Sequence, residues 1–392
     1  MAVSIDEIAV AADRPRPLRI MVLGLRGIAV QGGIESHARM LYPLLARLGC
    51  EIEVVQRGPY FPRGGRRRYW RGIKLTYLWS PTKPVLETAV HTLLGVLYAA
   101  VRRPDVLHLH AVGPGLLAPL ARLFGLRVVL THHGPDYERE KWGASAKVLL
   151  RAGERLGVRF AHRPIVVSPT LRDEVARRYG VGAELIPNGA PKVLPAVTRR
   201  SLERFGLASG RYVLCVGRLD PGKRQGDLIE AFRAAQLLGW KLVIVGGLSI
   251  GDRYCERIRA CAALDPNVVL TDFQAGATLR ELYSHAGLFV LPSAVEGHPI
   301  VLLEAATYGV PILASAIEAN LALPLPRDRY FRVGDTRGLA TLLRAAVSEP
   351  GAERERCDKL RSLVRTRYSW RRAAQLTRAV YGDAVGEALP RG

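Results

Sequence analysis

The sequence predicts an α/β protein built from two doubly wound domains with parallel sheets. Strand-like apolar runs alternate with amphipathic, helix-like stretches along the chain, and the alternation restarts after a proline-rich stretch near the middle. Its 392 residues, 48% of them hydrophobic, exceed one ordinary core and suit two domains of about 180 residues each.

The elements follow in order. A polar tail covers residues 1–17, an apolar run over 18–23 reads as a first strand, and 24–33 is a glycine-rich turn. A helix is predicted over 34–48, with Met40, Leu41, Leu44, Leu45 and Leu48 at helical spacing and Gly49 as its stop. Further strands are predicted at 51–56, 106–110, 128–132 and 165–168, and an amphipathic helix at 171–179. The run 89–101 is apolar apart from His91 and Thr92, falls short of the roughly 18 residues of a membrane span, and reads as a buried helix. Proline, glycine and asparagine between 187 and 195 mark a connection, giving domains at 18–190 and 191–367. The second domain repeats the pattern with strands at 212–216, 241–245, 268–270, 288–291 and 311–314 and a helix at 226–238. A last helix at 371–385 lies in a closing segment, 368–392.

The net charge of +22 favours polyanionic partners, and arginine supplies most of it, since only eight of the 57 basic residues are lysine. The densest patch is Arg63-Gly-Gly-Arg66-Arg67-Arg68-Tyr69-Trp70-Arg71. Its cations and rings suit an anionic membrane surface, with Arg66, Arg67, Arg68 and Trp70 as contacts. The same composition would stack on single-stranded nucleic acid, or form a solvated loop. Asp6, Glu7 and Asp13 stand where a secretory signal would be basic and then apolar, so a cytoplasmic location is expected. Five cysteines with no C-x-x-C pair suggest reduced, mostly buried thiols.

Chemistry concentrates in Ser293-Ala-Val-Glu296-Gly297-His298-Pro299-Ile300-Val301-Leu302-Leu303-Glu304-Ala305. Glu296 should sit on a loop at a strand's carboxyl end and Glu304 in the following helix. In an open α/β sheet that crevice binds ligands, and the helix N-terminus offers free N–H groups to a phosphate. A helix with acidic residues near its start is the plainer alternative. Upstream, Arg218 and Lys223 in Val216-Gly217-Arg218-Leu219-Asp220-Pro221-Gly222-Lys223 lie just past a strand, within reach of the same phosphate. His132 and His133 follow another strand end, and His108 and His110 alternate on one strand face and read as structural or pocket-lining.

These stretches resemble glycosyltransferase family 4, the retaining GT-B enzymes that use nucleotide-sugar donors. The first matches that family's E-x7-E signature and the second its G-R-L…K motif. Ile186-Pro187-Asn188-Gly189 and Gln31-Gly32-Gly33-Ile34-Glu35 match two more, in family order across roughly residues 18 to 380. The N-terminal half looks closest to a bacterial branch of proposed rhamnosyltransferases and polysaccharide-assembly enzymes. That likeness rests on Leu25-Arg26-Gly27-Ile28, on Gly134-Pro135-Asp136-Tyr137-Glu138-Arg139 and on Lys141-Trp142-Gly143.

The resemblance implies two Rossmann-like domains facing a central cleft, the first on the acceptor side and the second on the donor side, with the last helix crossing back. It implies Arg218 and Lys223 on the donor diphosphate, Glu304 on the ribose, Glu296 near the reacting carbon, and His133 facing the donor. Gly32 and Gly33 let backbone approach the donor, as do the amides of His298, Ile300 and Val301; Asp136 and Arg139 fall on the acceptor side. The family commonly has a Phe-Gly-type pair where this chain has His298-Pro299, so one amide contact is lost. No cofactor is expected, and no metal, because no D-x-D triplet occurs. The implied partners are a nucleotide-sugar donor, a polyprenyl-linked or saccharide acceptor and an anionic membrane face, in cell-surface polysaccharide synthesis. A nicotinamide-dependent oxidoreductase fits less well, since the early glycines lack G-x-G-x-x-G spacing. A nucleic-acid-binding protein would rest on charge alone and leave the two glutamates without a role.

Overall fold

The structure, a computed structural model, describes residues 16–139, 142–192, 195–247, 252–348 and 350–387. The polar opening up to residue 15 and Lys141 of the Lys-Trp-Gly motif lie outside those residues.

The first sheet has eight strands: β1 (Leu18–Leu23), β2 (Cys50–Arg57), β3 (Tyr69–Trp70), β4 (Ile73–Leu78), β5 (Val106–His110), β6 (Val128–His132), β7 (Arg163–Val166) and β8 (Glu184–Leu185), in spatial order β3-β4-β2-β1-β5-β6-β7-β8. All neighbours are parallel except the β3–β4 hairpin. The second sheet has β9 (Tyr212–Val216), β10 (Lys241–Val245), β11 (Val268–Leu270), β12 (Leu288–Leu291), β13 (Ile312–Ser315) and β14 (Tyr330–Phe331), all parallel, in order β11-β10-β9-β12-β13-β14. Strand order reverses between β1 and β5 in one sheet and between β9 and β12 in the other, which fixes where each domain can bind a ligand.

Helices cover both faces of each sheet, so the central strands are buried on both sides and read as unbroken apolar runs. Two cores flank each sheet, led by Leu41 and Tyr42 or by Leu107 and Leu130 in the first domain, and by Phe232 and Ile244 or by Phe289 and Leu302 in the second. Helix Gly33–Arg47 ends as predicted, with Gly49 at φ +82, a conformation that favours glycine. The last helix, Trp370–Val385, belongs to the first domain's core through Trp370, Ala374 and Tyr381. The chain therefore crosses between domains twice, and the crossings lie side by side: Ala190 bridges Ser369, and its N–H donates to Tyr368 O at 2.8 Å.

The stretch read as a buried helix departs from expectation. It forms helix Pro84–Arg102, but Leu93, Leu97 and Val101 are exposed. Apolar residues surround this helix, and periodicity cannot show which face is covered. Most of the basic patch, for which a solvated loop is one of the alternatives above, is built into structure: a 3-10 turn at Arg63–Gly65, then β3 paired to β4.

Candidate functional site

The carboxyl ends of β1, β5, β9 and β12 look onto one cavity of about 790 Å³, lined from both domains. The second domain contributes the loops after β9 and β12. In the first of these, Asp220 organises the turn Pro221–Lys223: Oδ1 accepts from Gly222 N at 3.0 Å, and Oδ2 from Arg218 Nη2 at 3.1 Å. Lys223 Nζ donates to Glu296 Oε1, tying that loop to the one after β12, and Ala294 N donates to Gly222 O at 2.8 Å beside it. Arg224, in the left-handed region at φ +52, is drawn to Asp227 instead. Burial, and next the nearby Arg26 guanidinium, pull Arg218 below its ordinary pKa, against the opposing pull of Asp220.

Glu296 lies on the loop and Glu304 one turn into helix Ile300–Tyr308. Glu304 accepts the Tyr283 hydroxyl at 2.8 Å, and its carboxyl is pushed up to about 7 by burial, against the pull of Tyr283 and Arg39. The first N–H groups of this helix, from Ile300 and Val301, have no intrahelical partner and border the cavity. His298 contributes backbone: its carbonyl accepts from Asn188 Nδ2 at 2.9 Å, and its ring tilts against Tyr368.

The first domain presents Gly32, Gly33, His133, Asp136 and Arg139 to the same cavity. Gly32 leaves room for Glu35, whose carboxylate folds back to accept Arg26 N at 3.2 Å; a Cβ at Gly32 would overlap Glu35 Oε2. Arg139 pairs with Asp136 at 3.0 Å, and its Nη1 also lies 3.9 Å from Asp220 of the other domain. Arg139 of the first domain thus reaches the loop after β9 in the second. The domains touch at Gly134 and Gly297, where a Cβ on Gly297 would overlap the carbonyl oxygen of His133.

Behind His133 lies a buried chain of rings. His133 Nε2 faces His110 Nδ1 at 2.8 Å, His110 Nε2 meets the Tyr42 hydroxyl, and His108 bonds Tyr381 and Thr131 at 2.7 Å each. Burial lowers all these imidazoles, His108 to about 3 and His37 to about 4, so they are neutral at pH 7. Asn188 Oδ1 accepts from His37 Nδ1 at 2.8 Å, which assigns the proton to that nitrogen. Among the described residues, His37, His110 and His133 bring ring nitrogens within 4.8 Å of one another, the one grouping with metal-ligand geometry. Most of those nitrogens are already engaged in the hydrogen bonds above. His132 turns away from the cleft to a buried Glu154 at 2.5 Å.

The basic patch stands apart, at the β3–β4 edge of the first sheet. Arg66 is committed internally, donating to Gly58 O at 3.2 Å and lying 5.1 Å from the Tyr77 ring. Arg67 and Arg68 are exposed, and Trp70 is half-buried under Arg71. Sequence reasoning missed Arg26, Arg39, Asn188 and Glu35 as wall residues, although Arg26, Asn188 and Glu35 stand inside motifs already singled out.

A sequence profile of Glycosyltransferase Family 4 matches residues 31–191, and one of Glycosyl transferases group 1 matches residues 201–357. The GDP-mannose-dependent alpha-(1-6)-phosphatidylinositol monomannoside mannosyltransferase of Mycobacterium tuberculosis is 32% identical over 218 residues, 51% of this chain and 54% of that protein. The match thus spans about half of that relative's length. The glycogen synthase of the same organism is 29% identical over 301 residues, 74% of this chain and 71% of that one. Among solved structures, sucrose-phosphate synthase from Thermosynechococcus elongatus superposes with a TM-score of 0.82 at 21% identity, covering 95% of this chain and all of that one. An Anabaena protein, HepE, solved in complex with UDP-glucose, gives 0.77 at 17% identity over 93% of this chain and all of that one. At such identities these likenesses speak to the fold. The two profiles fall on the two halves whose loops build the cleft, and the chain belongs to glycosyltransferase family 4, with the GT-B fold.

Proposed function

We propose that the chain is a retaining, metal-independent glycosyltransferase. In this reading it moves a hexosyl unit from a nucleoside-diphosphate sugar to a lipid-linked saccharide during cell-surface polysaccharide synthesis. One observation carries the reading: Arg218, Lys223, Glu296 and Glu304 line a single cavity with the first residues of helix Ile300–Tyr308, and residues of the first domain line it with them. Arg218 and Lys223, joined by Arg139, take the charge that develops on the departing diphosphate as the sugar C1–O bond breaks. The acceptor oxygen bonds to C1, and its proton leaves with the diphosphate or to solvent. Glu296, engaged by Lys223, steadies the sugar and does not attack it. The lipid-linked acceptor draws support from the mannosyltransferase relative, whose name specifies a phosphatidylinositol mannoside. The basic edge supports a peripheral site at the inner membrane face; among the described residues no helix is long and apolar enough to cross a membrane. A screen of UDP-, GDP-, ADP- and dTDP-sugars for donor hydrolysis tests the reading, and turnover of none of them would refute it.

Nucleotide affinity is expected to depend on pH through Glu304. Only the carboxylate accepts two ribose hydroxyls, and this carboxyl still holds its proton below about 7. Affinity for a nucleoside diphosphate should therefore be flat above that value and fall about tenfold per unit below it, with a proton released on binding. Calorimetry in buffers of different ionisation enthalpy measures this. Glu304→Gln should weaken binding and flatten the profile, whereas Glu296→Gln should mainly lower turnover. Equal loss of affinity in both would count against separate roles.

Membrane attachment is expected to rest on Arg67 and Arg68. Each cation near an anionic surface is worth on the order of 1 kcal/mol, screened by salt. Arg67→Ser with Arg68→Ser should lower binding to vesicles containing anionic lipid about tenfold or more in sedimentation, leaving donor hydrolysis intact. Unchanged sedimentation would reduce the patch to a solvated edge. Better competition by single-stranded RNA than by lipid would favour nucleic acid. Arg66 is left in place because it braces the turn.

A further inference from the structure

The donor cavity continues into the first domain, between the N-terminal halves of helix Pro84–Arg102 and helix Ala144–Phe160. There its wall changes character, to Ala89, Leu116, Leu117, Ala146, Leu149 and Leu150. Gly113 lies between the two helices: a methyl built on it would meet Thr88 Cγ2 at 3.2 Å and Leu150 Cδ2 at 3.5 Å. At the throat, Arg57 Nη1 pairs with Glu87 at 2.9 Å in a buried ion pair, and Nη2 donates to Thr88 Oγ1 at 3.3 Å. Arg57 Nε is buried without a hydrogen-bond partner among the described residues.

Two observations say what occupies this lobe. Outward from it, Leu86, Leu93, Leu97 and Val101 are exposed at intervals of seven, four and four, one continuous face of the helix. The two helices also hold one carboxylate each, and both are buried, Glu87 paired with Arg57 and Glu154 hydrogen-bonded to His132. Their outer faces therefore carry exposed Arg102, Arg151 and Arg155 with no exposed acid beside them on either helix. An apolar track on helices whose exposed charges are all basic complements an amphiphile with a negative head. A free saccharide would find few partners here, since the Thr92 hydroxyl is already spent on Thr88 O at 2.7 Å.

We propose that this lobe binds the hydrocarbon chain of a phosphate-bearing lipid acceptor, with the head held at the Arg57 throat and the chain leaving over Leu86, Leu93 and Leu97 into the bilayer. The proposal rests on the transferase reading above and names the part of the acceptor that the first domain recognises: the chain as well as the sugar.

Calorimetry on the full chain with butyl phosphate and dodecyl phosphate, both below their micelle concentrations, tests it. Each buried methylene multiplies affinity about fourfold, so dodecyl phosphate should bind at least 100-fold more tightly. Ala146→Trp fills the lobe and Leu149→Gln makes its wall polar; each should cut that ratio tenfold or more, with folding checked by circular dichroism. Leu149 is partly exposed, so the second variant keeps the test alive if the first misfolds. Equal affinity for the two phosphates, or a ratio unchanged in both variants, overturns the proposal. Titration of wild-type protein with UDP and GDP separates the two readings. Nucleotide binding without chain-length preference rejects the lobe alone, and absence of any nucleotide binding removes the transferase reading beneath it.

Discussion

Lys223→Ala is expected to lower turnover by about 30- to 1,000-fold, the equivalent of roughly 2 to 4 kcal/mol of transition-state stabilisation, and Arg218→Ala to do the same. Both cations border the cavity where the leaving diphosphate would lie, and neither has an anion other than its loop partner. The two variants should nevertheless differ in stability. Removing Lys223 leaves Glu296, whose side chain is 9% exposed, without its counter-ion, so the melting temperature should drop. Removing Arg218 leaves Asp220 still accepting from Gly222 N and near Arg139, and should cost less. Adding Glu296→Gln to Lys223→Ala should restore the melting temperature without restoring turnover. Single-turnover kinetics and thermal melts on the three variants measure both quantities. Near-normal turnover in Lys223→Ala and Arg218→Ala together would take the diphosphate away from this loop.

Gly297→Ala is expected to lower turnover by at least 100-fold while changing nucleoside-diphosphate affinity by only a few-fold. The added methyl falls on the carbonyl oxygen of His133, backbone that has no rotamer with which to yield. Relief requires the two domains to part at the place where Gly134 and Gly297 touch, beside Glu296. The loops proposed to hold nucleotide belong to one domain and are hydrogen-bonded to each other. In the proposed reading the acceptor wall belongs to the other, and a displacement of about 1 Å between reacting groups is enough for a 100-fold loss. Small-angle scattering with nucleotide present should show a more open particle than wild type. An alanine variant with wild-type turnover and scattering would mean that the glycine contact plays no part in assembling the site.

What the sequence disclosed, and what it withheld, follows from the range of the interactions involved. Strands β9, β10 and β12 were legible because each is buried on both faces and spells a short apolar run ended by glycine or proline. The edge strands β3 and β14, two residues each, carry no pattern long enough to read. The site motifs were visible because each occupies one strand-to-helix turn. The wall residues that join them were not: Asn188 acquires its role from His37 and His298, which come from opposite ends of the chain. Helix Pro84–Arg102 was misread for a similar reason, since an apolar surface records a preference for leaving water and not whether protein covers it.

The crossing helix carries a consequence for how the protein is made. Ribosomes deliver a chain from its N-terminus, at about 5–20 residues per second, and an N-terminal domain ordinarily folds while the rest emerges. Here the first domain's core includes Trp370, Ala374 and Tyr381, and the buried His108 bonds Tyr381 at 2.7 Å. That core stays incomplete until helix Trp370–Val385 has left the ribosome, whereas the second domain has its own two cores by then. The later-made domain can thus finish first, and the earlier one waits with an apolar face of helix Gly33–Arg47 uncovered, the surface a holding chaperone would meet during synthesis.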